Sequence, residues 1–309
     1  MSTLAIDVGG SSFKIALVDR GVILEQEKLR HTSQPSDLDR LIRLCRRIVG
    51  QRPMAAVGLS LPGVIDQAAG AMVSAHAKCG YMLGMDLRGW AEAAFGVPAL
   101  IENDARCALW GEVGYGAARG MQNVVLLSFG TGIGTAVLLD RKALSGPHGH
   151  GGILGGHQSV EVNGRLCTCG NRGCVEAEAS GWSIPLIAEE WPGIRDSALA
   201  DVPHKDFAAV AHAAETGDSI AQEIVARVAD CWGSAITNLC HHYDPEAVVL
   251  TGGLMSSAHL VIDRIRDDVD RRIWAIWGRP EITVAADVYA SATLGLDYLA
   301  RKHFGAASR

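Results

Sequence analysis

The chain has 309 residues and a net charge of −6, from 28 Lys and Arg against 34 Asp and Glu. It contains no dense basic run, which argues against a nucleic-acid partner. No apolar run is long enough to span a bilayer, and an acid at Asp7 disfavours a secretory signal. These features predict a cytoplasmic protein with no membrane partner, long enough to form two domains.

Two short apolar strands open the chain, Leu4–Val8 and Phe13–Val18, joined by a glycine-serine turn at residues 9–12. Two strands connected by so short a turn predict a β-hairpin. The amides and hydroxyls of this turn can face an anion, although an ordinary hairpin turn fits the same residues. Asp7 favours the anion site, because a carboxylate beside a phosphate can hold a hydrated Mg²⁺ through water.

An amphipathic helix is predicted over 38–49, and a buried strand over 55–61 that ends in Pro62-Gly63. A helix over 86–95 then leads to a short apolar strand that starts at Pro98. Alternating strands and helices in this order indicate an α/β domain. Asn103 and Asp104 follow where the strand passes into the next helix. A carboxylate at a helix start either caps the helix or accepts a proton, and the local residues leave both roles open.

The strand–turn–strand pattern returns at residues 124–139, where Gly130-Thr-Gly-Ile-Gly134 joins two apolar strands. The two hairpins lie about 120 residues apart, which suggests an internal duplication. Two such turns can face one polyphosphate from opposite sides. The pair therefore favours phosphate binding more strongly than either turn alone.

A glycine-rich loop at 145–156 precedes His157 and three cysteines spaced C-x-C-x4-C, namely Cys167, Cys169 and Cys174. One histidine and three cysteines supply the four ligands of a tetrahedral zinc site. A disulfide is disfavoured by the reducing compartment and by the odd number of local cysteines. Four protein ligands leave no open position, so the sequence predicts a structural zinc.

The C-terminal part is predicted to be helical over 182–243, followed by a strand over 247–251 that runs into Gly252 and Gly253. These glycines either let a flat group approach the backbone or make a plain tight connection. A helix at about 256–272, a strand over 282–286 and a terminal helix over 289–302 complete the prediction.

Together, these motifs resemble the ROK sugar kinases (repressor, open reading frame, kinase), members of the actin and hexokinase superfamily of ATPases. The matching motifs, in family order, are Asp7-Val-Gly-Gly-Ser11, Ser60-Leu-Pro-Gly63, Glu102-Asn-Asp104, Phe129-Gly-Thr-Gly-Ile-Gly134, Gly156-His157, the three cysteines, Gly173-Cys-Val-Glu176 and Thr251-Gly-Gly-Leu254. The cysteine signature is the most specific of them.

The resemblance implies a duplicated two-domain α/β fold of the actin-like (ribonuclease H-like) ATPase type, with a cleft between the domains. The small domain would comprise 1–115 plus 289–309. The large domain would comprise 116–288 and include the zinc-binding loop 157–176. A homodimer is also implied, and the helical segment 182–243 could carry its interface.

The resemblance further implies roles for individual residues. Asp104 would be the general base that takes a proton from a sugar hydroxyl as it attacks the γ-phosphate of ATP. The sugar would be bound by Gly63, Asn103, Asp104, His157 and Glu176. ATP would be bound by Asp7, Gly9, Gly10, Ser11, Ser12, Lys14, Thr131, Gly132, Gly252, Gly253 and Leu254. The implied cofactors are ATP, Mg²⁺ and a structural Zn²⁺ held by His157, Cys167, Cys169 and Cys174.

The chain departs from the family pattern in its substrate region. Leu154 stands where the family often has a sugar-binding Glu, and the stretch 75–81 lacks the usual sugar-binding Asn. Ser12 replaces a common Lys, with Lys14 nearby. The nucleotide motifs are therefore intact, whereas the substrate pocket is altered. The resemblance implies an ATP-dependent kinase acting on a hydroxyl, by analogy with the family the primary 6-OH, of a hexose or hexose derivative.

Two alternatives remain open from the sequence. One is a nucleotide- and sugar-binding sensor with weak turnover. The other is a kinase of a non-glucose sugar such as an amino sugar or a polyol. No DNA-binding helices of the regulator type precede Leu4, which favours the kinase branch of the family over the repressor branch.

Overall fold

The computed structural model describes residues 1–74, 77–276 and 278–305, with the side chains of residues 77 and 78 left aside. The chain divides into two compact units. The first comprises Met1–Gly120, Ala143–Gly151 and Ala285–Arg309, and the second comprises Met121–Lys142 and Gly152–Val284. In the described ranges, no helix combines the length and the apolar character needed to cross a membrane.

The elements alternate between strands and helices in both units. In chain order they are β1 (Ser2–Val8), β2 (Ser12–Asp19), β3 (Val22–Arg30), α1 (Ser36–Val49), β4 (Met54–Leu61), β5 (Val64–Asp66), β6 (Ala71–Ser74), α2 (Leu87–Phe95), β7 (Ala99–Asn103), α3 (Asp104–Tyr115), β8 (Val124–Phe129), β9 (Ile133–Leu139), β10 (Lys142–Ala143), α4 (Val175–Ala179), α5 (Ile184–Glu189), α6 (Phe207–Glu215), α7 (Ser219–Tyr243), β11 (Ala247–Thr251), α8 (Ile262–Arg272), β12 (Glu281–Val284) and α9 (Ser291–Phe304). Short 3₁₀ helices lie at Ala77–Met82, Gly155–His157, Ile194–Asp196 and Gly253–Leu260.

The first unit is built on a sheet of strand order β3-β2-β1-β4-β7. Strands β1, β2 and β3 are antiparallel, whereas β1, β4 and β7 run parallel. Parallel strands bring their carboxyl ends to one edge of the sheet. Asp7 is therefore in register with Ser60, and Leu61 is in register with Asn103.

The second unit repeats this arrangement in the strand order β10-β9-β8-β11-β12. Its opening strands β8 and β9 are antiparallel, and β8, β11 and β12 are parallel. Ser128 and Thr251 are paired, so the second glycine turn and Gly252 lie at the same edge of this sheet. Both sheets share one topology, as an internal duplication predicts, and the predicted α/β class is confirmed.

Three predicted elements differ in extent from those observed. The stretch 182–243 is not continuously helical: α5 ends at Glu189 and α6 begins at Phe207. Pro192 and the left-handed Gly193 lie in that interval and interrupt a helix. The predicted helix over 256–272 is divided at Val261, whose φ of −122° is not helical. The predicted strand over 282–286 ends at Val284.

Helix α3 packs against α9 in the first unit through glycines on both helices. A Cβ added to Gly111 would overlap the carbonyl of Ser291, and a Cβ on Gly295 would overlap the carbonyl of Cys107. Because neither side of the contact has a side chain, the two backbones meet directly. This close packing fixes the helix that begins at Asp104.

We expect Gly295→Ala to lower the free energy of unfolding of the first unit by about 1–3 kcal/mol, because the added methyl group forces the two helices apart. Urea unfolding followed by circular dichroism measures this change. Gly80→Ala is the matched control, since a Cβ at Gly80 meets no atom within 4 Å. Equal midpoints for the two variants would contradict the prediction.

Candidate active site

Asn103, and not Asp104, caps helix α3. Its side chain accepts a hydrogen bond from the backbone N–H of Arg106 at 3.2 Å, and its backbone is extended. Asp104 is the first helical residue. The capping role considered for Asp104 from the sequence is therefore wrong, because the cap lies one residue earlier.

The Asp104 carboxylate has one oxygen engaged and one available. Its Oδ1 accepts from the backbone N–H of Ala105 at 2.8 Å and from Asn103 Nδ2 at 3.0 Å. Within the described residues, no hydrogen bond reaches Oδ2. Burial, together with the like charge of Asp7, raises the pKa of Asp104 to about 6. A carboxylate with this pKa and a free oxygen is suited to accept a proton near neutral pH.

The structure brings Gly63 and Asn103 together with Asp104. Asn103 Nδ2 also donates to the Gly63 carbonyl at 3.0 Å. Gly63 has a φ of +87°, a left-handed conformation that favours glycine at this position. These residues come from the ends of β4 and β7, which are neighbours in the sheet.

Asp7 lies at the same sheet edge and is buried. Its Oδ2 pairs with Lys14 Nζ at 3.1 Å, and its Oδ1 accepts from the Ser60 hydroxyl at 2.8 Å. The following turn is closed by the Gly9 N–H, which donates to the Ser12 carbonyl at 3.0 Å. The acid, the lysine and the first turn therefore form one group.

The second turn is held through its carbonyl groups. The carbonyls of Gly130 and Thr131 accept from the backbone N–H groups of Gly181 and Trp182, at 2.9 and 3.0 Å. In a trans peptide the N–H points opposite to the C=O. The amides of Thr131 and Gly132 therefore point away from Gly181 and Trp182, as an anion-binding turn requires.

The Glu176 carboxylate contacts the second glycine turn. Its Oε2 accepts from the Ile133 N–H at 2.9 Å, and its Oε1 lies 3.4 Å from Trp182 Nε1. The side chain is buried, and a Cβ on Gly132 would crowd its carboxylate. The sequence assigned Glu176 only to the sugar, so this structural role is an addition.

Position 252 accommodates glycine and no larger residue. Its φ is +94°, and a Cβ here would overlap the Phe129 backbone. The chain then continues into the 3₁₀ helix that begins with Gly253 and Leu254. The bare backbone at this strand end permits the close approach of a flat group.

His157, Cys167, Cys169 and Cys174 form one cluster whose ligand atoms all lie within 4.8 Å of one another. Cys167 Sγ is 3.6 Å from His157 Nδ1, and Cys169 Sγ is 3.7 Å from Cys174 Sγ. The edges of a tetrahedron around zinc measure about 3.5–3.8 Å, given its bond lengths to sulfur and nitrogen. These two distances match such edges, and the four predicted ligands lie close enough together to hold one metal ion.

The sequence did not predict a role for Arg106, which is buried in helix α3 two residues after Asp104. Its guanidinium donates to the carbonyls of Gly149 at 2.6 Å, Gly151 at 3.0 Å and Leu144 at 3.1 Å. Arg106 thus anchors the glycine-rich loop of the first unit. The sequence did contain one indication of such a role, because Arg106 is the charged residue within an otherwise apolar helical run, Ala105–Trp110.

The structure describes one of the two substrate-region departures from the family pattern fully, namely Leu154, and the other, the stretch 75–81, only in part. Leu154 is 46% exposed and directly precedes the 3₁₀ helix that carries His157. Residues 75 and 76, which belong to the stretch that lacks the expected Asn, lie outside the described residues.

A model of the ROK family matches residues 3–303. A glucokinase from Thermotoga maritima is 30% identical, covering 99% of this chain and 99% of that protein. A xylose repressor from Bacillus subtilis is 26% identical, covering 98% of this chain and 77% of that protein. The match therefore extends over nearly the whole chain.

A solved structure gives the same result at the level of the fold. The ROK family glucokinase from Streptomyces griseus, in complex with glucose and AMPPNP, is 26% identical with a TM-score of 0.85, covering 98% of this chain and 100% of that chain. The predicted actin-like ATPase fold is thereby confirmed.

Proposed function

The chain belongs to the ROK family, and we propose that it is an ATP-dependent kinase that phosphorylates a hydroxyl of a hexose or hexose derivative. The observation that best supports this proposal is the state of Asp104: no described residue donates to its Oδ2, and its pKa is raised to about 6. The family's glucokinases support the same activity, since they align with this chain over nearly its full length. The primary 6-OH is the acceptor we expect.

In the proposed reaction, Asp104 Oδ2 accepts the proton of the sugar hydroxyl. The hydroxyl oxygen forms a bond to the γ-phosphorus as the bond from that phosphorus to the ADP oxygen breaks. Because such transition states are loose, the protein contributes mainly positioning and charge stabilisation. The hydrogen bonds to Oδ1 fix the carboxylate and leave Oδ2 to receive the proton.

We assign the nucleotide to the two glycine turns and to the Gly252–Leu254 backbone. The turns offer amides, and Lys14 offers a positive charge to phosphate oxygens. Asp7 keeps acceptor capacity beyond its bonds to Lys14 and Ser60, so it can hold a hydrated Mg²⁺ through water. When bound, Mg²⁺ neutralises the developing charge on the phosphates.

We assign zinc to the cluster of His157 and the three cysteines. The proximity of one histidine nitrogen and three cysteine sulfurs fits this ion, and four protein ligands leave no position for an activated water. The ion would therefore stabilise the loop 157–176. A homodimer, a cytoplasmic location, the absence of a nucleic-acid partner and sugar contacts from Asn103, His157 and Glu176 stay predictions from the family resemblance and the sequence.

A second candidate is a kinase of a non-glucose sugar, such as an amino sugar or polyol, and Leu154 favours it. An exposed leucine next to His157 cannot accept hydrogen bonds from ring hydroxyls, whereas it can contact an apolar substituent. Relatives with such substrates exist, among them an N-acetylmannosamine kinase from Salmonella paratyphi A that is 29% identical over 270 residues.

A panel of sugars tests the proposed function. Purified protein with MgATP is supplied with glucose, other hexoses, N-acetylated amino sugars and polyols, and ADP release is measured by a coupled assay. We expect at least one sugar to stimulate ADP release. We also expect Asp104→Asn to lower kcat by at least about 100-fold, because the general base is lost.

The Asp104→Asn variant keeps the size and hydrogen bonding of the side chain, so it controls for folding. Unchanged turnover in this variant would show that Asp104 is not the base. No stimulation by any sugar, with MgATP still bound, would instead support a sensor. Preference for plain glucose at ordinary efficiency would exclude the second candidate.

The raised pKa of Asp104 predicts a pH profile. The base must be deprotonated, so kcat/KM should fall about tenfold per pH unit below about pH 6 and level off above it. Initial rates from pH 5 to 8, with MgATP binding titrated in parallel, separate loss of the base from loss of nucleotide affinity. A profile that stays flat through pH 5 would contradict the assignment.

The metal cluster predicts about one zinc ion per chain in protein purified without chelator. Elemental analysis by mass spectrometry measures the content. Cys174→Ser should lose most of the metal, because a hydroxyl binds zinc more weakly than a thiolate. Cys45→Ala, a change at a buried cysteine outside the cluster, should keep it. Metal-free wild-type protein would contradict the assignment.

A further inference from the structure

His31 is a buried, titratable residue that the proposed mechanism does not use. It directly follows β3, and its side chain is fully buried. Its ring lies against Phe13, with 4.6 Å between the ring centroids. Phe13 belongs to β2, the strand that leaves the first glycine turn. His31 is therefore packed behind that turn.

Two hydrogen bonds connect His31 to carbonyls of the first turn. Its ring Nδ1 is 2.9 Å from the Gly9 carbonyl oxygen, and its backbone N–H donates to the Ser11 carbonyl at 3.0 Å. A carbonyl oxygen can only accept, so Nδ1 carries the proton. One residue thus holds two of the turn's carbonyl groups.

The opposite ring nitrogen is also engaged. Nε2 lies 3.1 Å from the Tyr81 hydroxyl. In the neutral ring whose proton is on Nδ1, Nε2 is an acceptor, and the Tyr81 hydroxyl donates to it. Burial, with the nearby charge of Asp37, raises the pKa of Tyr81 and keeps this hydroxyl protonated. Asp37 Oδ2 is 3.8 Å from Nε2 and accepts from the Thr32 N–H at 2.8 Å. These partners fix both the tautomer and the ring orientation.

The orientation of the Gly9–Gly10 peptide follows from this contact. Because the peptide is trans, the Gly10 N–H points opposite to the carbonyl that His31 holds. Among the described residues, the Gly10 N–H has no hydrogen-bond acceptor. His31 therefore aims an unpaired amide away from the protein interior, as anion binding requires.

The duplicated second turn shows the same arrangement with different atoms. There, the carbonyls of Gly130 and Thr131 are held by the backbone N–H groups of Gly181 and Trp182. In the first turn, one of the two bonds comes from a side chain. The first turn can therefore be altered by a point mutation that leaves the backbone bonds unchanged.

We propose that His31 is a positioning residue for the nucleotide phosphates: its ring holds the Gly9 carbonyl so that the Gly10 amide faces the phosphate chain. The inference rests on the proposed nucleotide site and deepens it. His31 itself touches neither nucleotide nor sugar in this role. It acts through the turn.

Three variants test this role. His31→Leu removes both ring nitrogens at similar volume. His31→Asn keeps a donor, its Nδ2, close to the position of Nδ1. Tyr81→Phe removes only the partner of Nε2. Binding of MgATP and of adenosine is measured by calorimetry without sugar, and thermal unfolding midpoints are recorded for each variant.

We expect His31→Leu to weaken MgATP binding about tenfold, the effect of one misdirected hydrogen bond, and to leave adenosine binding unchanged. His31→Asn should recover most of the loss, and Tyr81→Phe should cause a smaller one. In turnover assays, the KM for ATP should rise while the KM for the sugar stays the same.

Equal loss of MgATP and adenosine affinity would indicate a merely structural role and overturn the inference. So would unchanged MgATP binding in His31→Leu, or no recovery in His31→Asn. If His31→Leu unfolds, the comparison of His31→Asn with wild type decides: near wild-type MgATP affinity supports the role, and a large loss overturns it. Because binding is measured without sugar, a wild-type protein that binds MgATP but phosphorylates no sugar would refute the proposed kinase and not the role of His31.

Discussion

The opposed directions of C=O and N–H in a trans peptide govern both glycine turns. An amide can face an anion only when its carbonyl partner is held on the other side. In the second turn this is done by the backbone at Gly181 and Trp182, and in the first turn by His31. The residues behind each turn are therefore as important for an anion site as the glycines themselves.

Two acids, Asp7 and Asp104, lie at one edge of the sheet in the first unit. Asp7 has Lys14 and Ser60 as partners, whereas Asp104 accepts hydrogen bonds from the neutral donors Asn103 and Ala105 and is close enough to feel the charge of Asp7. Burial and this like charge raise the pKa of Asp104. Two carboxylates of similar intrinsic acidity are thereby suited to different tasks, one near a cation and one as a proton acceptor.

The metal cluster is linked to the second turn through helix α4. Cys174 occupies the N-cap position of this helix, and Glu176 lies in its first turn. A metal bound to Cys174 would fix where α4 begins, and hence where the Glu176 carboxylate meets the Ile133 amide. A structural ion can in this way affect a turn that it does not touch. Arg106 has a comparable role in the first unit, since it anchors the loop at 144–151.

The sequence by itself determined the features that depend on local spacing: the two glycine hairpins, the C-x-C-x4-C cluster and the strand–helix order. It could not separate Asn103 from Asp104 as the cap, because that choice depends on the backbone angles of adjacent residues. Nor could it identify His31 or Arg106, whose ring and guanidinium groups meet Gly9, Tyr81, Gly149 and Gly151 at 22 to 50 residues along the chain. Only the tertiary structure brings those groups together, because hydrogen bonds between distant residues depend on how strands and loops pack.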